Sequence, residues 1–198
     1  MHSISRENGF GVPCILHEHM REFAMPWFIA GGWALDLFLG EVTRPHCDIE
    51  FLIFREDETA LQRHLSGFAL RQIANGKEVP WPDGQPIDGS IHQLRARRGD
   101  FEFDIFLAKS DRHRWYYRRD RRISIPRGNV GMMSRSGLPI LAPEVVLLFK
   151  AKHLLPRDQA DFERVYPLLS CEAREWLMTG IELAHPDCLW KQQRRRSC

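Results

Sequence analysis

Two carboxylates one residue apart inside an apolar run constrain this chain more than any other feature. The run reads CDIEFLIF, residues 47–54. Its aromatic and branched side chains predict a strand, and strand alternation puts Asp48 and Glu50 on the same face. Like charges side by side repel, and burial makes the repulsion worse, so the fold has to bring a cation or a set of donors to that face. Upstream, Gly31 and Gly32 stand between a short apolar stretch, WFIA, and a helix-like run over 33–39 that Gly40 is placed to close. Glycines at such a junction let backbone N–H groups come close to an anion, and the N-terminus of the following helix favours one.

The remaining chain reads as a mixture. Apolar spacing predicts a helix over 15–25 that Pro26 stops, and another over 56–70 with an acidic start. Residues 75–90, rich in proline and glycine, are expected to form a loop. IHQLRAR and FEFDIFLA flank Arg98, Gly99 and Asp100, which predicts an antiparallel hairpin. After Pro143 the pattern is helical over 144–154, 157–169 and 171–184. Strands and helices mixed first, then helices alone, indicate an α+β fold, a mixed sheet flanked by helices. The expected division is a catalytic domain over 1–140 and a C-terminal helical lobe with a basic tail over 141–198.

Asp104 is a third acid in an apolar strand, on the face of Glu102 and Phe106. If its strand lies beside the one carrying Asp48 and Glu50, three carboxylates converge, which suits two hard divalent cations, magnesium above all. One ion would bridge the phosphates of a nucleoside triphosphate. The other would acidify an acceptor hydroxyl, with Asp104 taking the proton, so that in-line attack on the α-phosphate transfers a nucleotide and releases pyrophosphate.

The pattern GGWALDLFLG-x-x-TR-x-H-x-DIE, followed by an acid in a later strand, resembles the polymerase-β-type nucleotidyltransferase superfamily. It is most similar to the small bacterial branch that includes aminoglycoside 2''- and lincosamide nucleotidyltransferases. The resemblance spans roughly residues 25–110, and PEVVLLFKAKHLLPRDQADF, residues 143–162, is similar to the helical lobe of those proteins. It implies that Gly31 and Gly32 contact the triphosphate, that Asp48 and Glu50 bind metal, and that Asp104 is a ligand or base. It also puts Thr43 and Arg44 near the phosphates and brings Lys150 or Lys152 from the second lobe; Lys150 is preferred, because the two face different ways on a helix. Glu50 stands where aspartate is commoner in that superfamily. ATP or another nucleoside triphosphate is the implied co-substrate, and the acceptor is a hydroxyl of unidentified chemistry. The alternatives are a non-catalytic nucleotide- or RNA-binding module of the same fold, and a toxin-type nucleotidyltransferase acting on tRNA or protein.

Composition narrows the field further. No apolar run approaches the roughly 20 residues of a membrane span, and the first residues lack a basic start followed by an apolar core, so the expected location is the cytoplasm. Five cysteines without a C-x-x-C pair read as reduced thiols, not a zinc site. The net charge of +2 is uninformative, but seven arginines fall within 112–127. Interleaved with Trp115, Tyr116 and Tyr117, they admit a nucleic-acid surface, although an amphipathic hairpin with solvated arginines is the preferred reading. Arg157, Asp158 and Asp161 read as a salt-bridged cluster at a helix start, and His46 as a residue that orients its loop. A polycationic aminoglycoside would want an acidic cleft, yet the 75–90 loop offers only Glu78, Asp83 and Asp88 against Lys77.

Overall fold

The computed structural model describes residues 9–196. A first helix, α1 (Gly11–Met20), precedes strand β1 (Trp27–Ile29) and helix α2 (Gly31–Leu39). Helix α2 ends at Gly40, whose left-handed φ of 85° carries its N–H back to the Asp36 carbonyl. The carboxylate run gives β2 (Glu50–Phe54), shorter than the strand predicted over 47–54. Next come α3 (Glu58–His64), the β3 (Ala69–Ala74) and β4 (Lys77–Pro80) hairpin, and the β5 (Gln93–Arg98) and β6 (Phe101–Ala108) hairpin. Two short pairs follow: β7 (Arg114–Tyr116) with β8 (Ser124–Pro126), and β9 (Gly131–Met133) with β10 (Pro139–Leu141). Helices α4 (Pro143–Lys150), α5 (Pro156–Val165) and α6 (Cys171–Ala184) complete the fold.

Eight strands form one mixed sheet in the order β4-β3-β5-β6-β2-β1-β10-β9. Strand β2 pairs parallel with β6, and β1 pairs parallel with β10. Central position explains the near-continuous apolar run Phe51–Phe54: all four side chains are buried. The sheet packs on Leu16, Met20, Trp33, Leu37, Val145 and Leu148, which belong to α1, α2 and α4, in a single apolar cluster.

Four expectations need correction. The helix predicted to run to residue 70 stops at His64, because residues 69–74 pair with β5 as β3. The stretch predicted as loop contains β4, which pairs with β3 across Asn75 and Gly76. Strands β9 and β10 were not anticipated, and β10 draws residues 139–141 into the main sheet immediately before α4. Arg194, Arg195 and Arg196, expected as a basic tail beyond the helices, lie within a 3-10 stretch, Leu189–Arg196. The first eight residues, where a leader was looked for, lie outside the described part of the chain.

The arginine-rich segment folds as the β7–β8 hairpin, and most of its arginines are engaged at home. Arg114 donates to Ser124, Arg122 pairs with Asp120, Arg127 pairs with Glu56, Arg121 lies over the Tyr116 ring, and Arg119 donates to the Tyr117 hydroxyl. Among the described residues, no helix is long and apolar enough to cross a membrane.

Candidate active site

Parallel pairing of β2 with β6 places Glu50 directly beside Asp104 in register. The backbone ties the two strand starts together: Asp104 N–H donates to the Ile49 carbonyl at 3.0 Å, and Ala30 N–H donates to the Glu50 carbonyl at 2.8 Å. Just before β2, the Trp33 indole N–H donates to the Asp48 carbonyl at 3.0 Å, so the first turn of α2 holds the loop that presents Asp48. Gly31 adopts a φ of +60°, and a Cβ built there would run into the Glu50 carboxylate. A Cβ on Gly32 would collide with the Arg44 guanidinium and the His46 ring. Gly31 is therefore favoured by conformation and by close approach, and Gly32 by close approach alone.

The acids on this face differ sharply in their company. Glu50 has its carboxyl pushed up to about 7, first by burial and then by the charges of Asp48 and Asp104, against a smaller opposing pull from Lys150 and Arg157. Asp104 is 8% exposed and is held by a guanidinium fork: Arg95 Nε donates to Oδ1 at 2.8 Å and Nη2 to Oδ2 at 3.0 Å. Arg95 is its cross-strand partner on β5. Arg95 also bonds Glu78 of β4 at 2.7 Å, and Glu78 in turn takes Arg71 and Arg97, while Arg97 pairs with Glu102. Three acids and three arginines thus satisfy one another across β3, β4, β5 and β6.

The loop after α2 is organised by Asp36, a buried residue that the sequence reading passed over. Thr43 donates its hydroxyl to Oδ1 at 2.7 Å and its N–H to Oδ2 at 3.2 Å, and His46 Nε2 lies 2.6 Å from the same Oδ2. Arg44 Nη1 lies 3.1 Å from His46 Nδ1. A guanidinium only donates, so Nδ1 accepts and Nε2–H donates to Asp36, which fixes the tautomer. The ring also stacks on Trp33 at 4.2 Å between centroids. Arg44 reaches on to Asp161 of α5 at 3.3 Å, where Lys150 also arrives, at 2.9 Å, while bonding Asp158 at 2.8 Å. Burial alone would raise the Asp161 carboxyl, but hydrogen bonds and charge from Arg44 and Lys150 outweigh it and hold it below the ordinary range.

A cleft of about 670 Å³ opens over this arrangement. Gly31, Gly32, Arg44, Asp48, Glu50 and Lys150 line it. Thr43 does not line it, because its hydroxyl is spent on Asp36, and Asp104 sits behind the wall under Arg95. Arg95 was missed because its role depends on hairpin register; the one available signal was alternation, which puts Arg95, Arg97, Glu102 and Asp104 on a common face of the predicted hairpin.

The aminoglycoside-2''-adenylyltransferase family matches residues 14–145. The chain belongs to that family. As a member it is a nucleotidyltransferase, and the Gly31 turn, Asp48, Glu50 and Asp104 all fall within the matched span. Among solved structures the fold is similar to ANT(2'')-Ia in complex with adenylyl-2''-tobramycin, with 19% identity over 93% of this chain and 98% of that one and a TM-score of 0.51. It is likewise similar to the lincosamide antibiotic adenylyltransferase LnuA bound to lincomycin, with 18% identity over 85% of this chain and all of that one (100%), TM-score 0.52. No curated relative matches the sequence.

Family membership implies divalent metal, and the residues can be tested for it. Among the described residues no three His, Cys, Asp or Glu side chains form a ready metal-holding group. The donor chemistry of the β2 pair nevertheless fits magnesium, which commonly takes one or two carboxylates and completes its shell with water and substrate phosphate. Asp48 and Glu50 supply two oxygen donors on the cleft wall with no ion-pair partner among the described residues, and the raised Glu50 carboxyl marks an excess of negative charge that a cation would relieve.

Proposed function

We propose that this enzyme is a magnesium-dependent adenylyltransferase that moves AMP from ATP to a hydroxyl of its acceptor and releases pyrophosphate. The observation that carries this reading is the in-register pairing of Glu50 with Asp104 beside the Gly31–Gly32 turn, with Asp48 on the same wall. Backbone N–H groups at that turn and the N-terminus of α2 suit the triphosphate. Arg44 and Lys150 add positive charge from the loop and from α4, and their bonds to Asp161 and Asp158 fix where that charge stands. Asp48 and Glu50 would hold magnesium, which when bound offsets phosphate charge and acidifies a hydroxyl.

In the transfer step the acceptor oxygen bonds to the α-phosphorus, the bond from that phosphorus to the bridging oxygen breaks, and pyrophosphate leaves with the electron pair. Asp104 takes the hydroxyl proton once acceptor and metal are bound, a step that requires its carboxylate to give up the Arg95 fork that holds it behind the cleft wall. The cleft has the sheet on one side and α4 and α5 on the other, so residues 1–140 serve as the catalytic part and 141–198 as the lobe that covers it. ATP is preferred as donor because the matching family is one of adenylyltransferases.

The test is incubation with α-labelled nucleoside triphosphates and magnesium against antibiotics, tRNA, free hydroxyl compounds and cell extract. Label from ATP should move to an acceptor, and Asp104→Asn should slow the transfer by at least about a hundredfold. Absence of transfer to every acceptor, or equal rates in the two proteins, overturns the proposal.

A further inference from the structure

The walls of the cleft carry a charge pattern that the transfer reaction does not use. Arg44, Lys109, Arg118, Arg119, Lys150 and Arg157 line it, against Asp48, Glu50 and Asp158. Two of those cations are already matched, Arg44 by Asp161 and Lys150 by Asp158 and Asp161. Lys109, Arg118, Arg119 and Arg157 have no carboxylate partner among the described residues. Acids near Asp104 give no relief to a cationic ligand, since Glu78, Glu102 and Asp104 are each bonded to arginine. A triphosphate carries roughly four negative charges, which two divalent ions offset, so a loaded nucleotide leaves the excess of positive charge on the wall nearly untouched.

Arg157 acts on Glu50 beside the Gly31 turn, while Lys109 and Arg118 stand away from it. Lys109 follows the end of β6, and Arg118 follows β7; both act on His92, at the start of β5, which is held down at about 4 by burial and then by Arg118, Arg55 and Lys109. His92 is neutral at ordinary pH, lines the cleft, and keeps a buried Nδ1 with no hydrogen-bond partner. Along the shared sheet face, Glu50 and Asp104 are succeeded by Leu52 and Phe106, then by Phe54 and Ala108. Two such steps at about 3.3 Å per residue separate the acids from the Lys109 end by roughly 13 Å. One end of the cleft therefore presents carboxylates, and the other presents the cations Lys109 and Arg118.

The geometry points to an acceptor that is a hydroxyl compound bearing an anionic group, its hydroxyl at the Asp48 and Glu50 end and its anion at Lys109 and Arg118. A polycationic acceptor would meet like charge there and find no free carboxylate besides the β2 pair. This inference rests on the adenylyltransferase reading for the hydroxyl end and on the cleft charges alone for the anion.

The experiment is calorimetric titration of the full chain, with magnesium and an ATP analogue whose α–β bridging oxygen is replaced by methylene. Glucose 6-phosphate, glucuronate, glucose and tobramycin are the probes. At least one anionic sugar should bind tenfold or more tightly than glucose, with tobramycin weaker than both. In Lys109→Glu/Arg118→Glu that preference should vanish while the analogue binds within about twofold of wild type. Tobramycin binding more tightly than the anionic sugars, equal binding of all three sugars, or a preference that survives the double substitution would overturn the inference. If the analogue fails to bind while the anionic sugar still binds through Lys109 and Arg118, the adenylyltransferase reading falls and the anion site stands.

Discussion

Two pairs of acids stand at the cleft, Asp48 and Glu50 on its wall and Asp158 with the more deeply placed Asp161 on α5, and they differ in almost everything except residue type. Asp158 and Asp161 on α5 are 5% and 3% exposed, and Lys150 and Arg44 bond them at 2.8–3.3 Å. Asp48, in the loop just before β2, and Glu50, the first residue of β2, have no ion-pair partner among the described residues, and Glu50 is held up to about 7. One pair is electrostatically finished, and its work is to fix the positions of two cations. The other is unfinished, which is a cost to the fold that a bound cation would remove.

The largest effect that should separate the two pairs is on catalysis. Asp48→Asn and Glu50→Gln should each lower nucleotide transfer by about a hundredfold or more, measured as pyrophosphate release. Glu50→Gln should at the same time raise the thermal midpoint of the metal-free protein at pH 8. The sign follows from proton uptake: the folded state holds a proton on Glu50 up to about pH 7, the unfolded state only to about 4.5. Stability on this account falls as pH rises through that window and stays low above it. A lowered midpoint for Glu50→Gln at pH 8 would erase the distinction between the pairs.

Next in size is the α5 pair. Asp161→Ala leaves Arg44 and Lys150 facing each other without their shared carboxylate and should cost about 3 kcal/mol in chemical denaturation. A loss near zero would mean that the two cations are as free as the β2 acids are. Smallest is Thr43→Val, which removes the hydroxyl bond to Asp36 at 2.7 Å and should cost about 1 kcal/mol. Its KM for ATP should stay within about twofold of wild type; a rise of tenfold would return Thr43 to the phosphates.

Features of the site set by neighbours along the chain were legible in the sequence. Gly31, Gly32 and Gly40 bracket α2 as expected, and Asp48 and Glu50 line one wall two residues apart, although only Glu50 lies in β2. The β5–β6 hairpin was readable from its turn at Gly99 and its alternating residues. Features decided by partners far away were not. Residues 131–133 and 139–141 are too short to announce themselves as strands and become so only because Ile140 finds Ile29. Residues 69–70 fit a helical pattern as well as a strand, and pairing with β5 decided the matter. Thr43 lies in a motif that pointed to phosphate, but Asp36, seven residues earlier on the buried side of α2, claimed its hydroxyl.

The parallel contact between β1 and β10 has a consequence for biosynthesis. Roughly 110 residues separate Ile29 from Ile140, so a nascent chain that has emerged only through the β7–β8 hairpin leaves one side of β1 with bare N–H and C=O groups. Such an edge invites pairing with another chain on the same polysome. Slow translation or a stall between residues 117 and 138 should therefore favour aggregation, and a chaperone that shields strand edges should help this protein most during that interval.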